Sequence, residues 1–233
     1  MKVQWFGQST FALKSSEGQI LIDPYGSMDA LRARGVRWDY PPLPEDIAAD
    51  LLLVTHEHGD HNAVDVVKGS PHTVRSLAGT FETALGKVVG IASEHDDAAG
   101  TVRGANVIYV FEASGFRVCH LGDLGQAMLR PAQLLAIGKV DLLFVPVGGM
   151  ATINGAEAAA AVRALGPRWV VPMHYRTPAI GFLENLDPFL AAMEANEVLM
   201  LPGESFDTDK LPAADETVVV VPAPPVATPT RPS

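Results

Sequence analysis

The sequence predicts an α/β chain in which two sheets pack face to face with helices outside, and three observations predict it. The opening alternates apolar and polar residues in the manner of half-buried strands. Later apolar runs at 51–54, 141–145 and 169–172 are nearly unbroken, as in strands covered on both faces. Capped helical segments lie between those runs, so strands and helices alternate in each half after an initial meander. At 233 residues such a chain buries a large core as one domain, expected over 1–221, with 222–233 as a tail.

The elements follow in order. Strands at 3–6, 10–13 and 20–22 are separated by turns at Gly7-Gln8 and at 15–18, and the third stops at Asp23-Pro24, where proline ends the ladder. Residues 26–46 show no clean period, carry Arg32, Arg34, Arg37, Trp38, Tyr40 and three prolines, and read as an irregular insertion with a short helix near 28–34. Loops of that length inside a compact domain are usually functional or disordered, so the insertion is a candidate substrate lid or else a solvated excursion. A buried strand at 51–54 is followed by a short helix at 63–67, strands at 71–75, 80–85 and 87–92, and a hairpin of 106–112 with 116–120. Proline at its first turn and Gly138 past its end frame a helix at 131–137. Asn154 with Glu157 three positions on makes a capping box for an alanine-rich helix that stops at Gly166-Pro167. A helix from Asp187-Pro188, a strand at 198–201 and a last edge strand at 217–221 complete the set. Five prolines in 222–233 and little to bury predict a mobile tail.

Composition narrows the partners. The chain has 17 Lys and Arg against 27 Asp and Glu, a formal net charge of −10 and a pI near 5.1, so its surface repels phosphate backbones and nucleic acid is a disfavoured partner. The lone Cys119 leaves no internal disulfide and fits a reducing compartment. No stretch reaches the length of a membrane span, and the expected protein is cytoplasmic, acts on a small molecule, and is free to form a homo-oligomer.

The chemistry concentrates in Val54-Thr55-His56-Glu57-His58-Gly59-Asp60-His61, which packs four metal-ligand side chains into six positions after an apolar strand. Divalent transition metals favour imidazole nitrogen with carboxylate oxygen, and a rigid strand end feeding a tight turn can aim such groups in two directions. Of the seven histidines, His56, His58, His61, His95 and His174 follow directly on predicted strands, and so does Asp123. Strand ends are where α/β folds place their sites. His72, in a turn, and His120 compete with His95 for a place in the set.

The H-x-H-x-D-H signature with these later residues resembles the metallo-β-lactamase superfamily, and within it the small metal-dependent hydrolases that include the ascorbate-6-phosphate lactonase-like proteins. The resemblance runs to about Leu201. It implies a four-layer αβ/βα sandwich with two divalent ions, zinc first and Mn, Fe or Ni compatible, at the sheet edges. His56, His58 and His95 would hold the first ion, Asp60, His61 and His174 the second, and Asp123 would bridge them. Two such ions roughly 3.5 to 4 Å apart supply hydroxide at neutral pH and stabilise an oxyanion. Asp60 and Asp123 are the expected catalytic carboxylates, with Asp60 also orienting the nucleophile or assisting the leaving group.

Departures from relatives refine the expectation. Members with a metal-binding cysteine place it where Asp123 stands, and Cys119 is four residues too early; the diiron oxidoreductases carry Glu where His58 stands. The expected reaction is hydrolysis of a small ester, lactone or phosphate-bearing substrate. A mononuclear-iron redox enzyme of the sulfur dioxygenase kind, a phosphodiesterase or nuclease, and a non-catalytic metal-dependent binding protein are the alternatives. Arg176, Tyr175, Gly148 and Gly149 flank the site as candidates for substrate binding, and Asp23, Asp96 and Asp97 as acceptors that fix imidazole tautomers.

Overall fold

A computed structural model describes residues 1–213 and 215–226. The meander forms as β1 (Lys2–Gly7), β2 (Thr10–Lys14) and β3 (Gln19–Ile22), then α1 (Asp29–Ala33), β4 (Leu51–Val54) and β5 (His72–Arg75). The chain continues through β6 (Gly79–Thr83), β7 (Gly86–Glu94), β8 (Ala105–Ala113), β9 (Phe116–His120), α2 (Pro131–Ile137) and β10 (Leu142–Pro146). It closes with α3 (Gly155–Leu165), β11 (Trp169–Met173), α4 (Asp187–Ala192), β12 (Val198–Met200), β13 (Ser205–Asp207) and β14 (Val218–Val221).

Two sheets result, in the order β13-β1-β2-β3-β4-β5 and β12-β14-β11-β10-β9-β8-β7-β6. Each joins an antiparallel meander to parallel strands: β3, β4 and β5 run parallel in the first sheet, and β9, β10, β11 and β14 in the second. The parallel strands are the ones with continuous apolar sequence, and all four residues of β4 and all five of β10 and β11 are buried. Between the sheets Trp5, Phe11 and Leu53 meet Tyr109, Phe144 and Val171, with the Phe11 and Phe144 rings 4.3 Å apart. Burying each such side chain contributes about 1.5–3 kcal/mol. The caps of α3 form as the sequence predicts: Asn154 Oδ1 accepts from Ala156 N and Glu157 N, and the Glu157 carboxylate accepts from Asn154 N.

Three expectations are corrected. The 26–46 segment is irregular apart from α1, but its aromatic half is not a solvated excursion. Trp38 and Tyr40 are buried with Tyr25, Leu21, Leu52, Ile180 and Leu183 in a second apolar cluster. Asp39 N donates to Ala179 O at 2.8 Å, and the Tyr40 hydroxyl meets Thr177 Oγ1 at 2.9 Å, so the segment is a wall pinned to the 177–183 loop. The 217–221 strand is not an edge, because β14 lies between β11 and β12. The packed unit also runs past Val221: Pro222 and Pro225 are buried and Ala223 N donates to Gly203 O, while 227–233 of the predicted tail lie outside the described residues. β13 has no sequence forerunner. It pairs with β1 from two hundred residues away in the chain, in a three-residue register that no local periodicity reveals.

Candidate metal centre

The site begins where two neighbouring parallel strands end together. Asp23 follows β3 and is fully buried; its Oδ1 accepts from Thr55 N at 2.7 Å and its Oδ2 from Thr55 Oγ1 at 2.7 Å. The same Oδ2 lies 3.0 Å from His61 Nδ1, so one carboxylate ties the first and last residues of the loop after β4. The hydrogen-bond network assigns the tautomers. When neutral, His61 carries its proton on Nδ1, toward Asp23, which leaves Nε2 free to bind a cation. Thr55 spends its only proton on Asp23, so its oxygen accepts from His56 Nδ1 at 3.0 Å, and His56 Nε2 is likewise a lone pair.

The second sheet supplies the other side. His95 follows β7, Asp123 lies three residues beyond β9, and His174 follows β11. A side chain at either of two glycines would destroy this placement. A Cβ on Gly125 would lie 2.3 Å from His95 C, and one on Gly148 would lie 2.1 Å from His174 O. Asp123 is held by its own backbone N–H on Asn106 Oδ1 at 3.0 Å and by Ser9 Oγ donating to its Oδ1 at 3.2 Å.

The free oxygen, Asp123 Oδ2, is the meeting point. Around it stand Nε2 of His174 at 3.2 Å, His61 at 3.3 Å, His95 at 3.4 Å and His56 at 3.9 Å. Asp60 Oδ2 is 3.5 Å from His61 Nε2, and the nitrogens of His56 and His58 meet at 3.1 Å. Three groups of ligand atoms lie within 4.8 Å of one another: His56, His58 and His95; His56, His61 and Asp123; and Asp60, His61 and His174. All seven residues expected to converge therefore do so.

Such a convergence fits cations. His61 Nε2 faces carboxylate oxygens of Asp60 and Asp123 at 3.5 and 3.3 Å, and it is among the buried atoms without a hydrogen-bond partner. Burial opposes a charge on His61, but Asp123, Asp60 and Asp23 together outweigh it and lift its pKa well above the ordinary histidine range. The ion-free pocket thus draws positive charge inward. Burial and the neighbouring His61 push His56 down to about 2, keeping it a neutral donor. Burial would raise the Asp123 pKa, yet His174 and His61 hold it well below the usual carboxylate range. Neutral imidazoles and ionised carboxylates are the states that bind divalent transition metals.

Other candidates fall elsewhere. His120 Nε2 meets Ser9 O at 3.0 Å and its Nδ1 accepts from Gly122 N at 3.1 Å, so both ring nitrogens are occupied in the framework. His72 is exposed on β5. Asp96 touches no imidazole. Its carboxylate accepts from the backbone N–H groups of Ala98, Gly100, Val102 and Arg103, which folds the loop beyond His95 and lowers its pKa, the Arg103 amide contributing most. Asp97 is exposed and makes no side-chain hydrogen bond among the described residues. Tyr175 is only 4% exposed, with its ring 5.6 Å from Trp5, and belongs to the core rather than to a substrate surface. Gly148 and Gly149 are buried against His174 and Glu184, close-approach positions rather than contacts open to a ligand. Arg176 is exposed, its Nε on Leu183 O at 2.6 Å. Sequence reasoning missed Thr55, Ser9, Asn106 and Gly125 as support for the site. Thr55 alone carried a signal, as the polar residue between buried strand and first histidine.

Comparison with known proteins agrees with this geometry. Residues 2–174 match the family described as the beta-lactamase superfamily domain. A UPF0173 metal-dependent hydrolase of Thermococcus onnurineus is 31% identical over 230 residues, spanning 88% of this chain and 98% of that one. A Thermotoga maritima structure, assigned by its description to Zn-dependent hydrolases of the metallo-beta-lactamase superfamily, superposes with a TM-score of 0.73 at 31% identity, covering 95% of this chain and 99% of the other. An isothiocyanate hydrolase from Delia radicum gut bacteria shares the fold at a TM-score of 0.64 and 15% identity. With the sandwich and the His/Asp cluster already in place, these likenesses make the chain a member of the metallo-β-lactamase superfamily and a metal-dependent hydrolase.

Proposed function

We propose that the protein hydrolyses a small ester, lactone or phosphate-bearing substrate at a centre of two divalent cations. The observation that carries this reading is Asp123 Oδ2, which has imidazole nitrogens of both halves of the molecule within 3.2 to 3.9 Å. His56, His58 and His95 would hold one cation and Asp60, His61 and His174 the other, with Asp123 between them. Zinc fits these donors first, and Mn, Fe or Ni fit the same set. When bound, the pair lowers the pKa of a shared water and offsets the negative charge that develops on the substrate.

The chain's own residues do the rest. His58 is exposed and Asp60 partly so, while His56, His61, His95, Asp123 and His174 are buried; substrate therefore enters past His58 and Asp60. Asp60, at that open edge, orients the nucleophilic water and passes its proton toward the leaving group. Asp23 and Thr55 keep His61 and His56 turned with their Nε2 atoms inward. Arg176, exposed two residues beyond His174, would meet an anionic or polar substituent. Among the described residues no helix is long and apolar enough to cross a membrane. The net charge of −10 favours a small-molecule substrate over nucleic acid, and a cytoplasmic location suits both.

Metal analysis of protein purified without added ions, followed by a screen of lactones, phosphodiesters and thioesters, tests the reading. Two ions per chain and turnover that disappears with a chelator and returns with zinc or manganese are expected. One iron per chain with oxygen consumed would replace hydrolysis by redox chemistry.

A further inference from the structure

Among the described residues five buried side-chain nitrogen or oxygen atoms lack a hydrogen-bond partner, and they fall on His61, His95, His174 and Gln8. The three histidines belong to the candidate metal centre. Gln8 does not, yet it is fully buried and neither its Nε2 nor its Oε1 is paired. Buried polar groups are normally satisfied, so such an amide needs a reason.

Its position supplies one. Gln8 sits in the turn between β1 and β2, where its carbonyl accepts from His174 N at 3.3 Å, and the next residue, Ser9, donates to Asp123 Oδ1 at 3.2 Å. His174 turns Nε2 toward Asp123 Oδ2 at 3.2 Å, which leaves Nδ1 buried at the opposite edge of the ring without an acceptor. The corresponding edges of His61 and His56 are already matched, by Asp23 and by Thr55. A metal-bound imidazole almost always donates its other N–H to an outer partner. An unmatched donor and an unmatched acceptor thus lie on two residues joined by a backbone hydrogen bond.

We propose that Gln8 is a positioning residue for His174: its Oε1 accepts the Nδ1–H of His174 when Nε2 binds a cation. The three side-chain torsions of glutamine let the amide reach the ring from its backbone anchor. A neutral carboxamide also suits a pocket that already holds the carboxylates of Asp23, Asp60 and Asp123. The proposal rests on the two-cation reading above.

The test uses the zinc-loaded full chain. In the wild type an imidazole N–H resonance of His174, protected from exchange, is expected to show a nuclear Overhauser contact with the Gln8 side-chain amide protons. Chelator competition should show Gln8→Leu weakening one of the two ions by about 10- to 100-fold while leaving the other unchanged. Gln8→Glu, which keeps an acceptor, should hold both ions and the protected resonance. Wild-type affinity for both ions in a folded Gln8→Leu would overturn the proposal, and so would the missing contact in the wild type, which needs no variant. Fewer than two ions in the wild type would instead reject the two-cation reading, a failure visible before any variant is made.

Discussion

The two halves of the molecule hold their share of the cluster by different means. On the first sheet the loop after β4 is tied by side chains: Asp23 bonds Thr55 and His61, and Glu57 bonds Arg75, Ser76 and Asn62. On the second sheet His95 and His174 are set by backbone packing against Gly125 and Gly148, and their Nδ1 edges have no hydrogen-bond partner. A side-chain tie can be weakened in steps, whereas a backbone approach is all or nothing. The first half should therefore answer to substitution gradually and the second abruptly.

Asp123 is where the comparison breaks, because both halves meet on it. Asp123→Ala should lose both ions and lower turnover by at least about 10³-fold, since both cations of the proposed centre would share this oxygen; metal content and single-turnover rates check it. Two ions retained by the variant would mean that neither cation depends on this carboxylate. Gly148→Ala comes next. Its Cβ, 2.1 Å from His174 O, must push the backbone away, at a cost of about 1–3 kcal/mol in stability and with loss of the ion on the His174 side. Denaturant midpoints together with metal counts report both effects.

The graded half is sharpened by Asp23→Asn, which keeps shape but weakens the acceptor of His61 Nδ1. A loss of about 10- to 100-fold in metal affinity, read by chelator competition, is expected with stoichiometry unchanged at saturation. The smallest effect belongs to Glu57. Its carboxylate is held down to about 2 by Arg75 first, with Ser76 and Asn62 assisting against the cost of burial. A depressed carboxylate pKa contributes stability at neutral pH that is lost as pH falls from the ordinary value of 4.5 through about 2. The pair is half-exposed, so Glu57→Gln should cost only about 0.2–1 kcal/mol, and the melting difference from wild type should shrink over that acid range.

Legibility in the sequence follows the same division. The H-x-H-x-D-H loop and its strand could be read because their signals are local: an apolar run, then ligands in consecutive positions. His95, Asp123 and His174 could be placed because each lies at or just beyond the end of an apolar strand, where the resemblance to the family puts a ligand. The supports of the second half could not. Gly125 and Gly148 matter through backbones distant in sequence, and Asn106 and Ser9 through contacts across 17 and 114 positions with Asp123. Tyr175 illustrates the reverse error, since adjacency to His174 suggested a substrate contact while its ring packs into the core against Trp5. The aromatic residues of 26–46 read as a lid for a similar reason, because the cluster they fill is completed by Ile180 and Leu183 far along the chain.

The central claim is that one carboxylate oxygen joins two metal positions, each built from ligands of both halves of the chain. Anomalous scattering from crystals of the zinc-loaded protein tests it most directly. Two peaks about 3.5–4 Å apart on either side of Asp123 Oδ2, one beside His58 and His95 and the other beside Asp60 and His174, are predicted. A single peak, or two peaks that Asp123 does not touch, would contradict it.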